Sequence, residues 1–275
     1  MSHSPVTRRA LLRSFAAAPF VTTGVGVFSG AARAQATGLG LIAPNVCMIS
    51  PEVTEGPYYI DPDLVRADIT EGREGVPMRL RMQVVTADCT PVEGARVDVW
   101  HCDAEGNYSG FAGQGSDVTA DTTGQTFLRG TQFTDAGGLV AFDTIYPGWY
   151  RGRTTHIHYK VFLDQVTLLT SQIFFPDALS AYLFRSVAPY NARSAERDTV
   201  NASDGIARQA GDGAYAAIRE QASRYDAALV VGVSADAAPA GDSGSRRPMG
   251  PPPGGAPGAG PARGSQDPTV PGRDG

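Results

Sequence analysis

Met78-Arg79-Leu80-Arg81-Met82-Gln83-Val84-Val85 alternates apolar and polar side chains, the pattern of a strand with one face against a core. The alternation recurs outward from this stretch. Pro91-Val92-Glu93-Gly94 turns the chain, and Ala95-Arg96-Val97-Asp98-Val99-Trp100 repeats the pattern. Phe127 to Phe133 and Leu139 to Phe142 are separated by Asp135-Ala136-Gly137-Gly138, a hairpin signal. Val161-Phe162-Leu163 and Thr167 to Phe174 complete the set. Short strands at this spacing, with Gly- and Pro-rich turns, predict a mainly β protein, an antiparallel β-sandwich with short peripheral helices. Helix is expected over Asp177 to Phe184 and Ala214 to Tyr225, at the edges of the sandwich.

The ends of the 275-residue chain read differently. Arg8-Arg9 precedes a weakly apolar stretch, Phe15 to Phe28, and then Ala32-Arg33-Ala34. Basic, apolar and small residues in that order predict a twin-arginine export signal over 1–34, and so a periplasmic or extracellular protein. No other segment approaches the ~20 apolar residues of a membrane span. From Asp236 to Gly275 the chain is dominated by Pro and Gly, as in Pro251-Pro252-Pro253-Gly254-Gly255. Such a composition buries too little apolar surface to offset its ordering entropy, and 236–275 is expected to be a disordered tail. Residues 35–235 then form one domain.

The net charge of −5 and the lack of a Lys/Arg stripe argue against a nucleic-acid partner. Cys47, Cys89 and Cys102 allow one disulfide and one free thiol, and an exported location favours the bridge. Cys89 and Cys102 flank a turn plus a strand; Cys47 with Cys89 is the pairing favoured here.

Chemistry concentrates at a few strand ends. Only four histidines occur, and His156 and His158 stand at i, i+2 in His156-Ile157-His158-Tyr159-Lys160-Val161. On a strand that spacing points both imidazoles to one face. Tyr108 follows a strand end in Trp100-His101-Cys102-Asp103-Ala104-Glu105-Gly106-Asn107-Tyr108, and Tyr150 closes Pro147-Gly148-Trp149-Tyr150. Tyrosine, with a pKa near 10, is a poor ligand at neutral pH. A hard trivalent cation such as Fe(III) displaces its proton, and two phenolates plus a hydroxide would cancel three charges, so the centre tolerates burial. Zn(II) more often takes Cys, His or carboxylate, and Fe(II) oxygenases two His and a carboxylate.

Several segments together carry a resemblance: Thr54-Glu55-Gly56-Pro57-Tyr58-Tyr59, Val97-Asp98-Val99-Trp100-His101, Gly106-Asn107-Tyr108-Ser109-Gly110, Phe127-Leu128-Arg129-Gly130, and Thr144 to Tyr150 through Arg153-Thr154-Thr155-His156-Ile157-His158. They resemble the intradiol ring-cleavage dioxygenases, relatives of catechol 1,2-dioxygenase and the protocatechuate 3,4-dioxygenase β chain, in their exported single-chain branch. The resemblance implies a non-haem Fe(III) held by Tyr108, Tyr150, His156 and His158, with Tyr150 the ligand that leaves when substrate arrives. It implies that Arg153 and Gln172 stabilise charge on the substrate ring, and that Thr54 and Pro57 line its pocket. The implied partners are a catechol-type aromatic and O2, and the product a cis,cis-muconate-type dicarboxylate cut between the two hydroxyls. Trp100 and His101 read as packing, Arg129 as a brace for the hairpin, and Tyr58, Tyr59 and Tyr146 fit the ligand pattern less well.

The alternative is a non-catalytic secreted β-sandwich that binds an aromatic or a glycan. Loss of a ligand tyrosine or of Arg153 would favour it, and all are present. The sequence leaves the particular catechol open, and the oligomeric state between monomer and homodimer.

Overall fold

In a computed structural model of the chain, the described residues are 48–61, 63–115, 119–164 and 166–234. The expected export signal, the Pro/Gly-rich tail and Cys47 lie outside them. Among the described residues no helix is long and apolar enough to cross a membrane.

Eight strands follow one another as β1 (Pro77–Thr86), β2 (Arg96–Trp100), β3 (Arg129–Phe133), β4 (Leu139–Ile145), β5 (His156–Leu163), β6 (Val166–Phe174), β7 (Ala217–Glu220) and β8 (Tyr225–Val233). They form two four-stranded sheets, ordered β4-β1-β8-β7 and β3-β2-β5-β6. Helices α1 (Asp177–Ser186) and α2 (Gly205–Ala210) lie between β6 and β7 in sequence.

The alternation that predicts the strands also builds the core. Met78, Leu80, Met82 and Val84 of β1 are buried, as are Val97 and Val99 of β2 and Ile157, Tyr159 and Val161 of β5, all in one cluster. Each such side chain contributes about 1.5–3 kcal/mol of transfer free energy. The opposite face of β5 carries His156 and His158, so the histidines stand on the outer face of their sheet, away from the seam between the two sheets.

Three expectations need correction. The second sheet is wholly antiparallel, but β1 pairs antiparallel with β4 and parallel with β8, so the first sheet is mixed. The helix expected over Ala214 to Tyr225 is instead β7 and the start of β8, after a single 3-10 turn at Asp212–Ala214. There the pairing of Ala217–Glu220 with Tyr225–Ala228 outweighs the helical preference of Ala, Arg and Glu. The third strand begins at Arg129, because Leu128 has φ +56, a left-handed conformation that a strand cannot contain. Of the cysteines, Cys89 is disulfide-bonded and Cys102 is free and buried.

Candidate metal centre

Register assembles the site. Trp100 of β2 pairs with His158 of β5, and His158 pairs with Gln172 of β6, so one cross-strand row carries all three on the same face. The Trp100 and His158 rings stack at 4.9 Å and 12°. Two loops close over this row, one after β2 carrying Tyr108 and one after β4 carrying Tyr150. They can touch because Gly106 and Gly148 leave room. A Cβ on Gly106 would collide with the Trp149 carbonyl, and one on Gly148 with the Asp103 carbonyl.

Four donor atoms converge. The Tyr108 Oη lies 3.2 Å from His156 Nε2, the Tyr150 Oη 3.1 Å, and His158 Nε2 3.1 Å. His156 Nδ1–H donates to the Thr154 carbonyl at 2.6 Å, which leaves the lone pair on Nε2, aimed at the other donors. His158 Nδ1 is buried without a hydrogen-bond partner among the described residues.

Burial sets the charges. It raises the Tyr108 phenol well above its usual range, with neighbouring Tyr150 adding to the effect, and raises Tyr150 likewise. It pushes His156 down to about 3, helped by Arg153, and His158 well below its usual value, helped by His156. Without a cation the cluster is therefore two neutral phenols and two neutral imidazoles gathered around His156 Nε2. Donors held about 2.1 Å from one metal ion at right angles lie about 3 Å apart, the spacing found here. No group of three or more His, Cys, Asp and Glu side chains able to hold a metal occurs among the described residues, so a four-donor centre at this place has to draw on tyrosine.

The supports of each donor are unequal. Tyr108 is 1% exposed and its ring stacks on Tyr58 at 4.5 Å. Its N–H donates to Gln114 Oε1 at 3.2 Å, and its carbonyl accepts from Thr122 Oγ1 at 2.5 Å. Tyr150 is only partly buried, and its hydroxyl meets His156 Nε2 and the Tyr108 hydroxyl, both within the cluster. Of the other tyrosines named from the sequence, Tyr58 contributes its ring to the stack on Tyr108, Tyr59 donates to Asp98 Oδ2 at 2.9 Å, and the Tyr146 hydroxyl meets Ser180 Oγ at 2.7 Å.

Beside the donors, Arg153 Nη2 donates to Gln172 Oε1 at 2.5 Å, and Gln172 Nε2 to the Thr54 carbonyl at 2.9 Å. Gly56, at φ +74, lies so near that a Cβ there would be 3.2 Å from His158 Cε1. Segment 54–58 thus edges the site. Thr54 reaches Gln172 through its backbone, its hydroxyl accepting the Gly56 N–H at 3.2 Å, and Pro57 is exposed.

Solved structures resemble the chain in fold. An intradiol ring-cleavage dioxygenase from Tetranychus urticae is 35% identical, with TM-score 0.62 over 68% of this chain and 95% of that one. A family model described as dioxygenase matches residues 50–190, just over half of the chain. The chain belongs to the intradiol ring-cleavage dioxygenase family. The dioxygenase domain of a dioxygenase–carbohydrate-binding fusion from Streptomyces sp. SirexAA-E is 26% identical, with TM-score 0.51 over 68% of this chain and 99% of that domain. Among curated relatives, a chlorocatechol 1,2-dioxygenase of Pseudomonas sp. strain P51 is 30% identical over 158 residues, 49% of this chain. The chain spans only 60% of that relative's length.

In this intradiol-family chain three residues do more than the sequence reading gave them. Arg129 braces the Tyr108 loop as well as starting β3: Nε donates to Ser109 Oγ at 2.8 Å, Nη2 to the Ser109 carbonyl and Nη1 to the Tyr58 carbonyl, both at 2.7 Å. Trp100 forms one wall of the His158 ring. Asp204 caps α2 and holds Arg153; an Asp one residue ahead of Gly205-Ile206-Ala207 is a legible cap, but nothing local announces its second partner. His101, by contrast, is packing as expected, bonded to the Cys102 carbonyl at 2.8 Å and Thr144 Oγ1 at 2.7 Å.

Proposed function

We propose that the protein is a non-haem Fe(III) intradiol dioxygenase, with Tyr108, Tyr150, His156 and His158 as the iron ligands. The reading rests above all on the convergence of two phenols and two imidazoles at 3.1–3.2 Å in a buried pocket that carries no charge of its own. Tyr108 and Tyr150 would hold a ferric ion as phenolates, whose charge with a hydroxide would offset that of the ion and leave the centre close to neutral. Such an ion would supply the Lewis acidity that makes a catechol ring reactive toward O2.

The chain's own residues divide the remaining work. Tyr108, clamped by Tyr58, Gln114, Thr122 and the Arg129-held loop, stays in place. Tyr150, less buried than Tyr108 and without its Tyr58 stacking or its Gln114 and Thr122 bonds, is the ligand that would yield to substrate. Burial keeps its free phenol above the usual range, so Oη, once released, takes up a proton from the incoming catechol. Arg153 and Gln172 offer N–H donors where negative charge builds on the ring, and act by preorganisation. Thr54 and Pro57 stand at the lip where substrate would enter.

The substrate is a catechol-type aromatic, cleaved between its hydroxyls to a cis,cis-muconate-type dicarboxylate, and twin-arginine export would carry the enzyme to phenolics outside the cytoplasm. Oxygen uptake with catechol, protocatechuate, hydroxyquinol and aryl catechols tests this. At least one should consume O2 and yield a dicarboxylate. Binding of catechols without O2 uptake across the panel would refute the reading and favour a binding module.

A further inference from the structure

Asp204 lies outside the four-donor cluster, yet its carboxylate is committed twice. It is 2% exposed. Oδ1 accepts the N–H groups of Ile206 at 2.8 Å and Ala207 at 3.2 Å, the cap of α2. Oδ2 accepts Arg153 Nε and the Thr154 N–H, each at 2.9 Å. A helix cap needs only the first oxygen, so the second requires its own account.

That second oxygen governs two parts of the site. Thr154, fixed at its N–H by Asp204 and through Oγ1 to Asn201 Oδ1 at 2.8 Å, presents the carbonyl that holds His156 Nδ1–H. Arg153 is held at Nε by Asp204 and at Nη2 by Gln172, and Nη1 makes no hydrogen bond among the described residues. Two fixed points on a planar guanidinium fix its plane, and the third nitrogen is then the donor left for a ligand. Asp204 and Arg153 are shielded, with side chains 1% and 16% exposed, so the pair holds against water competition.

We propose that Asp204 is a positioning residue for ring cleavage, orienting the Arg153 guanidinium through Oδ2 while Oδ1 caps α2. The proposal rests on the reading of Arg153 given under the proposed function.

Asp204→Ser separates the two duties, because Ser is as good a cap and lacks the second oxygen. Asp204→Asn serves as the second variant: it keeps the capping oxygen and turns a donor toward Arg153. Three readouts are taken on the full-length chain: Arg153 Nε–H exchange by 15N NMR before iron loading, thermal midpoint, and kcat and KM for a cleaved catechol after loading. Asp204→Ser should speed Nε–H exchange and lower kcat by about 10–100-fold, the cost of misplacing a catalytic donor, with KM near wild type. In an Arg153→Met background it should lower kcat far less, leaving only the effect of the Thr154 contact, since Asp204 acts chiefly through Arg153. A loss of similar size in both backgrounds overturns the proposal, as do wild-type kcat or unchanged exchange in both variants. A wild-type chain that cleaves no catechol overturns the functional reading and takes this one with it. Wild-type cleavage with an unaffected Asp204→Ser overturns the role of Asp204 alone.

Discussion

Replacing Arg129 by Met tests how the Tyr108 loop is held. The guanidinium is 2% exposed, makes no ion pair with a carboxylate among the described residues, and is pulled down to about 10 by burial. Its removal strips the Tyr58 and Ser109 carbonyls of their donors, each loss costing about 1–3 kcal/mol. Removing an unpaired buried charge gives part of that back. We expect a net loss of about 2–4 kcal/mol, which for a domain of this size lowers Tm by roughly 6–12 °C. Lys should not rescue, because an ammonium cannot span three acceptors set for a planar fork. The assays are a thermal scan of the iron-free chain and iron retention against a chelator, where the loosened Tyr108 loop should release metal faster than wild type. Arg129→Met that melts with wild type and keeps its iron would refute the bracing role.

Two other predictions concern the imidazoles. Gly56→Ala places a Cβ 3.2 Å from His158 Cε1 at φ +74, and should cost about 1–2 kcal/mol and weaken iron retention. Gly72→Ala, at φ +73 with open space around it, should cost the backbone strain alone and leave iron retention at the wild-type level, as chelator challenge of both variants would show. Acid should destabilise the iron-free chain early. Burial lowers His101 to about 4 and His156 to about 3 in the folded chain, whereas both titrate near 6.5 when unfolded. The unfolded chain thus binds more protons between those values, and stability falls as pH drops from about 6.5 toward 4, by up to about 1.4 kcal/mol per pH unit for each histidine. Denaturant midpoints flat between pH 7 and 5 would contradict this.

Much of the framework was legible because it is written in local periods. The alternation in Met78–Val85 names a strand and its buried face, and the i, i+2 spacing of His156 and His158 puts both on one face whatever the partner strands. Long-range pairing was not legible. β8 lies beside β1 across some 140 residues of chain and runs parallel to it, a choice made by the sheet as a whole. The Ala- and Arg-rich approach to β8 reads as helix locally, and only its neighbours make it extended. The donor side chains stand out by type, but their supports do not. Arg129 and Asp204 act through atoms that meet backbone groups 20 to 71 residues away, or a side chain 51 away, distances no local pattern encodes.

The central claim is that two tyrosines and two histidines bind ferric iron. The optical spectrum of the purified, iron-loaded protein tests it most directly. Tyrosinate-to-Fe(III) charge transfer should colour it burgundy-red, and an anaerobic catechol should shift the band as it takes the place of Tyr150. A protein that takes up iron stoichiometrically and stays colourless would contradict the account.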